Sequence, residues 1–323
     1  MIEFNKRNAR TIARMGVRPT YGQAISANAS VNKNILALSA DLGRSSGLVR
    51  FSEEYPDQFI NTGIAEQNLV GISAGLARTG FDVFASTFAP FASMRASEQV
   101  RMNMGYMREP VKLVALGSGL SMGFLGNSHY GLEDLAVLRA VPNITIVSPA
   151  DCFEIHKTIQ ACVGYLEPVY IRLTGGQNAP IVYEEDYNFE IGKAVWVRQQ
   201  GNICLVSSGT TVGHCLAACR QLEGMKIKAS VLNMHTIKPL DIIALEQAAQ
   251  LSTHIFVVEE HFSIGGLGDA IVRYFNDHKS LKPTIHCHGI RDMFLTTGDY
   301  PYLLEKNKLD CAGIVSFVRE LIG

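Results

Sequence analysis

The chain has 323 residues, 47% hydrophobic and 18% charged, enough for two domains with sizeable cores and unlike a disordered or low-complexity protein. Its 29 basic and 30 acidic side chains nearly cancel, leaving a formal charge of −1, so neither nucleic acid nor an anionic membrane surface is expected as a partner. Seven cysteines without a Cys-x-x-Cys pair fit reduced thiols in a cytoplasmic protein, and no apolar run is long enough to span a bilayer.

The first residues carry Lys6, Arg7, Arg10 and Arg14 and read as a basic surface arm, because Glu3 and the lack of Ser argue against a transit peptide. A helix is expected over 18–32, with Pro19 near its first turn. Residues 35–40 form a short apolar run, the pattern of a buried parallel strand. The loop 41–47 follows it, and loops after strands are where ligands gather in open α/β sheets. The stretch 61–80, NTGIAEQNLVGISAGLARTG, reads as a helix opened by Asn61, Thr62 and Gly63, with the acid Glu66 at its mouth. Gly71 and Gly75 stand four apart and share one face, where another backbone can come close. A helix apolar or small nearly all round is a buried helix, which leaves Glu66 at the edge of a dry interior, where burial raises a carboxyl pKa. From spacing alone, the plainer reading of Glu66 is an acid that suits the positive end of a helix.

Strands are expected at 83–86, 111–116, 144–147 and 168–173, with helices between them and a Gly-rich loop at 117–131, GSGLSMGFLGNSHYG. Phe88, Phe91 and Met94 are spaced by three, one stripe on a helix, and by spacing alone a core stripe. The segment IVYEEDYNFE, 181–190, is acidic and lacks either period, so it reads as a linker. A second, smaller α/β unit follows, with strands at 203–208, 227–232, 255–258 and 284–288. The alternation means parallel sheets with helices on both faces. The 265–268 turn lacks both the dinucleotide spacing and the P-loop lysine, so tight helix–strand packing explains it better. His286, Cys287 and His288 have no second half of a metal site nearby in sequence.

The run GIAEQNLVGISAGLA closely resembles the signature of the pyrimidine-binding domain of transketolases, and the similarity continues in order across nearly the whole chain. The resemblance implies a pyrimidine-binding domain over 1–182, a linker at 183–189 and a transketolase C-terminal domain over 190–323. It gives Glu66 the role of binding the aminopyrimidine of thiamine diphosphate and favouring the tautomer that activates the cofactor. Phe88 and Phe91 match ring-packing positions, as does Met94, where many members have tyrosine. Asp41 and Leu42 match the loop against the cofactor's far side. His129, in Gly-Asn-Ser-His, matches the histidine that bonds sugar oxygens and moves protons. Arg18 and Ser45 match holders of the sugar's terminal phosphate.

Beside Met94, three further positions depart from the family pattern. Gly117 stands in place of a histidine, Gly175 in place of a phosphate-binding arginine, and Leu125 in place of an aspartate. They suggest a roomier, less cationic channel unless Arg172 compensates. The Gly-Asp-Gly motif of the diphosphate-binding domain does not occur in this sequence. The implied protein is the C-terminal subunit of a split transketolase that moves a two-carbon ketol unit. It would work with an N-terminal diphosphate-binding subunit holding magnesium or calcium, and the family's two-fold interface would join two such pairs as a heterotetramer. Two alternatives stay open: the beta subunit of a 2-oxo-acid dehydrogenase first component, and a scaffold paralogue without catalysis.

Overall fold

The computed structural model describes residues 2–278 and 283–322. Twelve strands occur among them: β1 Ile35–Ser39, β2 Phe59–Asn61, β3 Asp82–Phe88, β4 Lys112–Ser118, β5 Thr145–Val147, β6 Val169–Thr174, β7 Val195–Arg198, β8 Ile203–Ser207, β9 Ala229–Asn233, β10 Thr236–Lys238, β11 His254–Phe262 and β12 Thr284–Ile290. They form two sheets, ordered β10-β5-β6-β4-β3-β1-β2 and β12-β11-β8-β9-β7. The first is parallel except for β10, and the second is parallel except for β7. Every residue of β1, β3, β4 and β6 is buried. Helices cover both faces, so these strands read as continuous apolar runs rather than alternating ones.

The short strand β10 belongs by sequence to the second unit, yet it pairs antiparallel with β5 at the edge of the first sheet. Three residues without a period give no sequence signal, so the crossing was not foreseen. Further bonds join the units: Ser148 N donates to His235 O at 2.7 Å, and Gly209 N donates to Ser148 O at 3.0 Å.

Several local expectations are corrected. The basic N-terminal segment is a docked helix, Lys6–Met15, which buries Ala9, Ile12 and Ala13. The segment 181–190, expected as a linker, has neither helix nor strand, but it is packed down: Val182 and Tyr183 are buried, and Tyr183 stacks on Tyr187 at 3.9 Å between centroids. Phe88 is not on a helix at all, since it ends β3. The backbone after it widens so that Ala96 N bonds Phe91 O at 3.0 Å, an i to i−5 step. The helix Glu66–Arg78 is buried on one side only, by Leu69, Val70, Ser73, Ala74 and Ala77. Its Gly71 and Gly75 face open space, and no neighbour lies within 4 Å of a Cβ built on either.

The 265–268 turn does what tight packing requires. A Cβ on Gly265 would meet Ala136 Cβ at 2.5 Å, and Leu267 N and Gly268 N donate to the buried Glu259 carboxylate at 2.6 and 3.0 Å. Among the described residues no group of three or more His, Cys, Asp or Glu could hold a metal ion, and no helix is long and apolar enough to cross a membrane.

Candidate active site

The parallel order brings four loops to one edge of the first sheet. The 41–47 turn follows β1, the Glu66 helix follows β2, the Phe91 turn follows β3, and the His129 loop follows β4. Because these strands run the same way, all four loops leave the sheet at its carboxyl edge, where open α/β sheets bind ligands.

Glu66, in the first turn of its helix, is only 4% exposed. Arg95 Nη1 donates to Glu66 Oε1 at 2.7 Å, while the Arg95 side chain is 49% exposed. The same guanidinium lies over the Phe91 ring, 3.9 Å from its centroid. Glu66 is therefore buried, as the sequence suggested, and has the hydrogen-bond partner that a buried acid needs. A flat cationic group holds it, stacked on an aromatic face.

The contacts continue inward. Phe91 and His129 meet edge-on at 5.3 Å, as do Phe88 and His129 at 5.9 Å, and Phe88 and Phe91 lie tilted at 6.0 Å. Arg18 reaches over Phe88 at 5.6 Å and donates to the Met122 thioether. Glu66, Arg95, Phe91, His129, Phe88 and Arg18 thus form one unbroken chain of contacts. Burial lowers the His129 pKa, and the nearby Arg95 charge lowers it further. Its Nδ1 lies 3.0 Å from Ser128 Oγ. Met94 is 53% exposed, so the equally spaced Phe88–Phe91–Met94 stripe is broken by the widened turn.

The β1 loop lies at the same edge, but no ring contact or hydrogen bond ties it to that chain of contacts among the described residues. Asp41 has a φ of 57° and is braced by Asn61, whose Oδ1 accepts from Asp41 N at 3.0 Å and whose Nδ2 donates to Asp41 Oδ1 at 3.1 Å. Leu42 N donates to Ser39 Oγ at 3.0 Å. Ser45 sits half-buried in the turn, without a side-chain hydrogen bond among the described residues.

Arg172 does not compensate for a lost phosphate contact. It is 2% exposed, and its Nε donates to both Asp134 oxygens at 3.1 and 2.8 Å. Its Nη2 donates to Gly131 O at 3.0 Å and to Glu260 O at 2.9 Å. Nor is the channel simply roomier. Gly117 has a φ of 63°, and a Cβ there would lie 2.7 Å from Met122 Cγ. Gly175 has a φ of 87°, and a Cβ there would lie 2.8 Å from Thr210 Cγ2. Methionine and threonine fill the space that the glycines leave. Leu125 is half-exposed on the 3₁₀ turn Gly123–Ser128.

The second unit stitches the His129 loop in place. Asn127 bonds Leu295 reciprocally, its Nδ2 donating to Leu295 O at 2.7 Å and its Oδ1 accepting from Leu295 N at 2.9 Å. The Tyr130 hydroxyl donates to Thr296 O at 3.0 Å, and Glu260 Oε1 accepts from Leu120 N at 2.6 Å. Sequence reading missed Arg95, Met122, Asn127 and Tyr130. The Asn127 and Arg95 contacts span 168 and 29 residues, beyond any local pattern.

Glu66, Phe88, Phe91 and His129 thus gather at the carboxyl edge of a mostly parallel sheet, the edge at which open α/β proteins bind ligands. The family model "Transketolase, pyrimidine binding domain" matches residues 13–178, and "Transketolase, C-terminal domain" matches 192–314. The chain belongs to the transketolase family, as a transferase-type subunit carrying these two domains. It is 36% identical over 306 residues to a subunit of the apulose-4-phosphate transketolase of Phocaeicola vulgatus, covering 94% of this chain and 97% of that one. It is 33% identical over 305 residues to the 6-deoxy-6-sulfo-D-fructose transketolase subunit SqwH of a Clostridium species, covering 94% of each. A solved split-gene transketolase, described as an inactive beta4 tetramer, superposes with a TM-score of 0.84 at 34% identity, covering 94% of this chain and 97% of that one.

Proposed function

We propose that the chain is the pyrimidine-binding half of a thiamine-diphosphate-dependent enzyme that moves a two-carbon ketol unit between carbonyl compounds. One observation carries this reading: the buried Glu66 carboxylate is met by a planar N–H donor stacked on Phe91. An aminopyrimidine with the shared proton at its ring nitrogen is also a planar N–H donor and offers the same contacts, so the residues fit the ring once Arg95 swings aside. When bound, the cofactor supplies a nucleophilic carbon for breaking and forming carbon–carbon bonds. The protein's part is local. Glu66 holds a proton at the ring nitrogen, and Phe88 and Phe91 exclude water around it. Asp41 and Leu42 close the far side, and His129 bonds and relays protons to substrate oxygens. Met94, at the open side, has at most a loose contact with the ring.

The diphosphate and its magnesium or calcium ion belong in this reading to an N-terminal partner subunit, with the division between the two domains of this chain at 183–189. Ile64 and Tyr106 are 78% and 77% exposed, and Ile72 and Gly75 add to the bare face of the Glu66 helix. That face is assigned to a second copy of the chain, which gives a heterotetramer with two partner subunits.

Arg18 and Ser45 are assigned to a terminal anionic group of the substrate. Arg172 is committed to Asp134, and Gly117 and Gly175 bring no cation. Losing charge-assisted bonds of roughly 1.5–3 kcal/mol each weakens a phosphosugar by a few powers of ten. Ordinary pentose phosphates are therefore poor acceptors, and a modified sugar is the better one; the uncommon sugars in the names of the two relatives support this. Steady-state kinetics of the chain with its partner subunit test it. The expected specificity constant for ribose 5-phosphate is at least about a hundredfold below that of the preferred acceptor. A ribose 5-phosphate constant as high as any other acceptor's would overturn the assignment.

A further inference from the structure

A cavity of about 510 Å³ lies in the second unit, between the end of β12, the 291–296 segment and the helices Tyr300–Lys306 and Cys311–Ile322. Its volume falls in the range of small-molecule sites. Neither the ketol chemistry nor the carboxyl edge of the first sheet uses it.

Its charge is one-sided. Arg291, Lys306 and Lys308 line it, against Glu320 as the one lining carboxylate among the described residues. Glu320 accepts from Ser316 Oγ at 2.8 Å, and Lys306 donates to Thr296 Oγ1 at 2.8 Å. Arg291 and Lys308 have no side-chain hydrogen bond or ion pair among the described residues. Both stand close enough to His288 for their positive charges to disfavour its protonation, adding to the larger effect of burial. Basic residues near a helix C-terminus are ordinary, which accounts for Lys306 and in part for Lys308. It does not account for Arg291, which comes from a different element.

The rest of the wall is apolar. Phe317 stacks on His288 at 4.8 Å, and Leu303 forms part of the lining. Phe294 is 80% exposed and Met293 57%, unusual for large apolar side chains beside uncompensated cations. The backbone is well braced: Lys308 holds a φ of 58°, Lys308 O faces His288 Nε2 at 2.9 Å, and the other side of the 291–296 segment bonds Asn127.

We propose that this cavity binds a small organic anion with an apolar or aromatic body, its charge at Arg291 and Lys308 and its body against Phe294 and Phe317. The assignment rests on charge and shape in this chain and is independent of the thiamine reading. The test uses the full chain and two fluorescent dyes with the same aromatic skeleton. One is the anion 8-anilinonaphthalene-1-sulfonate, and the other is the neutral N-phenyl-1-naphthylamine. The anion is expected to bind at one site per chain, at least about tenfold tighter than the neutral dye. The double variant Arg291→Ser, Lys308→Gly is expected to weaken the anion about tenfold and leave the neutral dye unchanged. Glycine suits the positive φ at 308, so the change adds no backbone strain. Equal binding of both dyes, or anion binding unaltered in the double variant, would overturn the proposal. Should the double variant not fold, Lys308→Gly alone, which suits the positive φ there, is expected to weaken the anion severalfold, and anion binding unaltered in that variant would equally overturn the proposal.

Discussion

Arg95→Ala separates the role of Arg95 from the role proposed for Glu66. In the structure Arg95 bonds the Glu66 carboxylate at 2.7 Å and lies 3.9 Å from the Phe91 centroid. Both contacts must break before an aminopyrimidine can take that position. A charged hydrogen bond contributes roughly 1.5–3 kcal/mol, and because Arg95 is half-exposed the lower figure applies. A guanidinium over an exposed ring adds about 0.5–1 kcal/mol. Together these oppose ring binding by about 2–2.5 kcal/mol, a factor of roughly 30–70. Arg95→Ala should therefore bind the pyrimidine fragment of thiamine more tightly by about that factor. The empty variant should also be less stable, because it leaves a buried carboxylate without its partner at a cost of about 1–3 kcal/mol. Ligand-observed NMR titration of the full chain measures the first effect, and a thermal melt measures the second. The two move in opposite directions, which a merely structural arginine would not produce. Weaker fragment binding in Arg95→Ala would refute the reasoning, since it would mean that Arg95 holds the ring rather than its place.

Four further outcomes are expected. The His129 imidazole titrates below the ordinary histidine value, and Arg95→Ala raises its midpoint, because a neighbouring positive charge no longer disfavours the imidazolium; an NMR pH titration reads both. Arg172→Ala costs about 3–5 kcal/mol of stability by stranding the buried Asp134, and a denaturant melt measures this; a folded variant changed only in substrate KM would show that Arg172 faces substrate after all. Gly117→His, the residue that the transketolase resemblance puts at this position, destabilises by about 2–4 kcal/mol from positive φ and the Met122 clash; adding Met122→Ala recovers only the steric part, as paired melts would show. Asn127→Ala loosens the His129 loop from Leu295, and hydrogen exchange over 123–131 should speed up at least about tenfold while the β4 amides stay protected.

The sheet strands were legible because burial on both faces writes itself as apolar runs. Residues 35–40, 111–116 and 168–173 anticipate β1, β4 and β6 to within a residue or two at each end. The edge strand β10 was not legible, since its three residues join a sheet whose other strands lie far away in sequence. At the site, Glu66, His129, Phe88 and Phe91 could be picked out only through resemblance, because spacing alone favoured a helix-start acid and a core stripe and did not single out His129. The structure brings these four into one cluster through rings and through Arg95. Arg95 was hidden because a single arginine after a widened turn carries no periodic signal. Whether Arg172 compensates stays open in the sequence, because nearness to Gly175 does not reveal that its side chain points into a buried pair with Asp134. The glycines at 117 and 175 suggested empty space, but their neighbours from other loops occupy it.

The proposed function turns on activation by Glu66 of a cofactor shared between this chain and a diphosphate-binding subunit. Its most direct measurement is the rate of hydrogen–deuterium exchange at thiazolium C2 of thiamine diphosphate in the assembled pair. The account predicts exchange well above that in buffer, and a drop of about two orders of magnitude or more in Glu66→Ala, with Glu66→Gln also slow. Exchange in Glu66→Ala at the unaltered rate, in a folded and assembled complex, would contradict it.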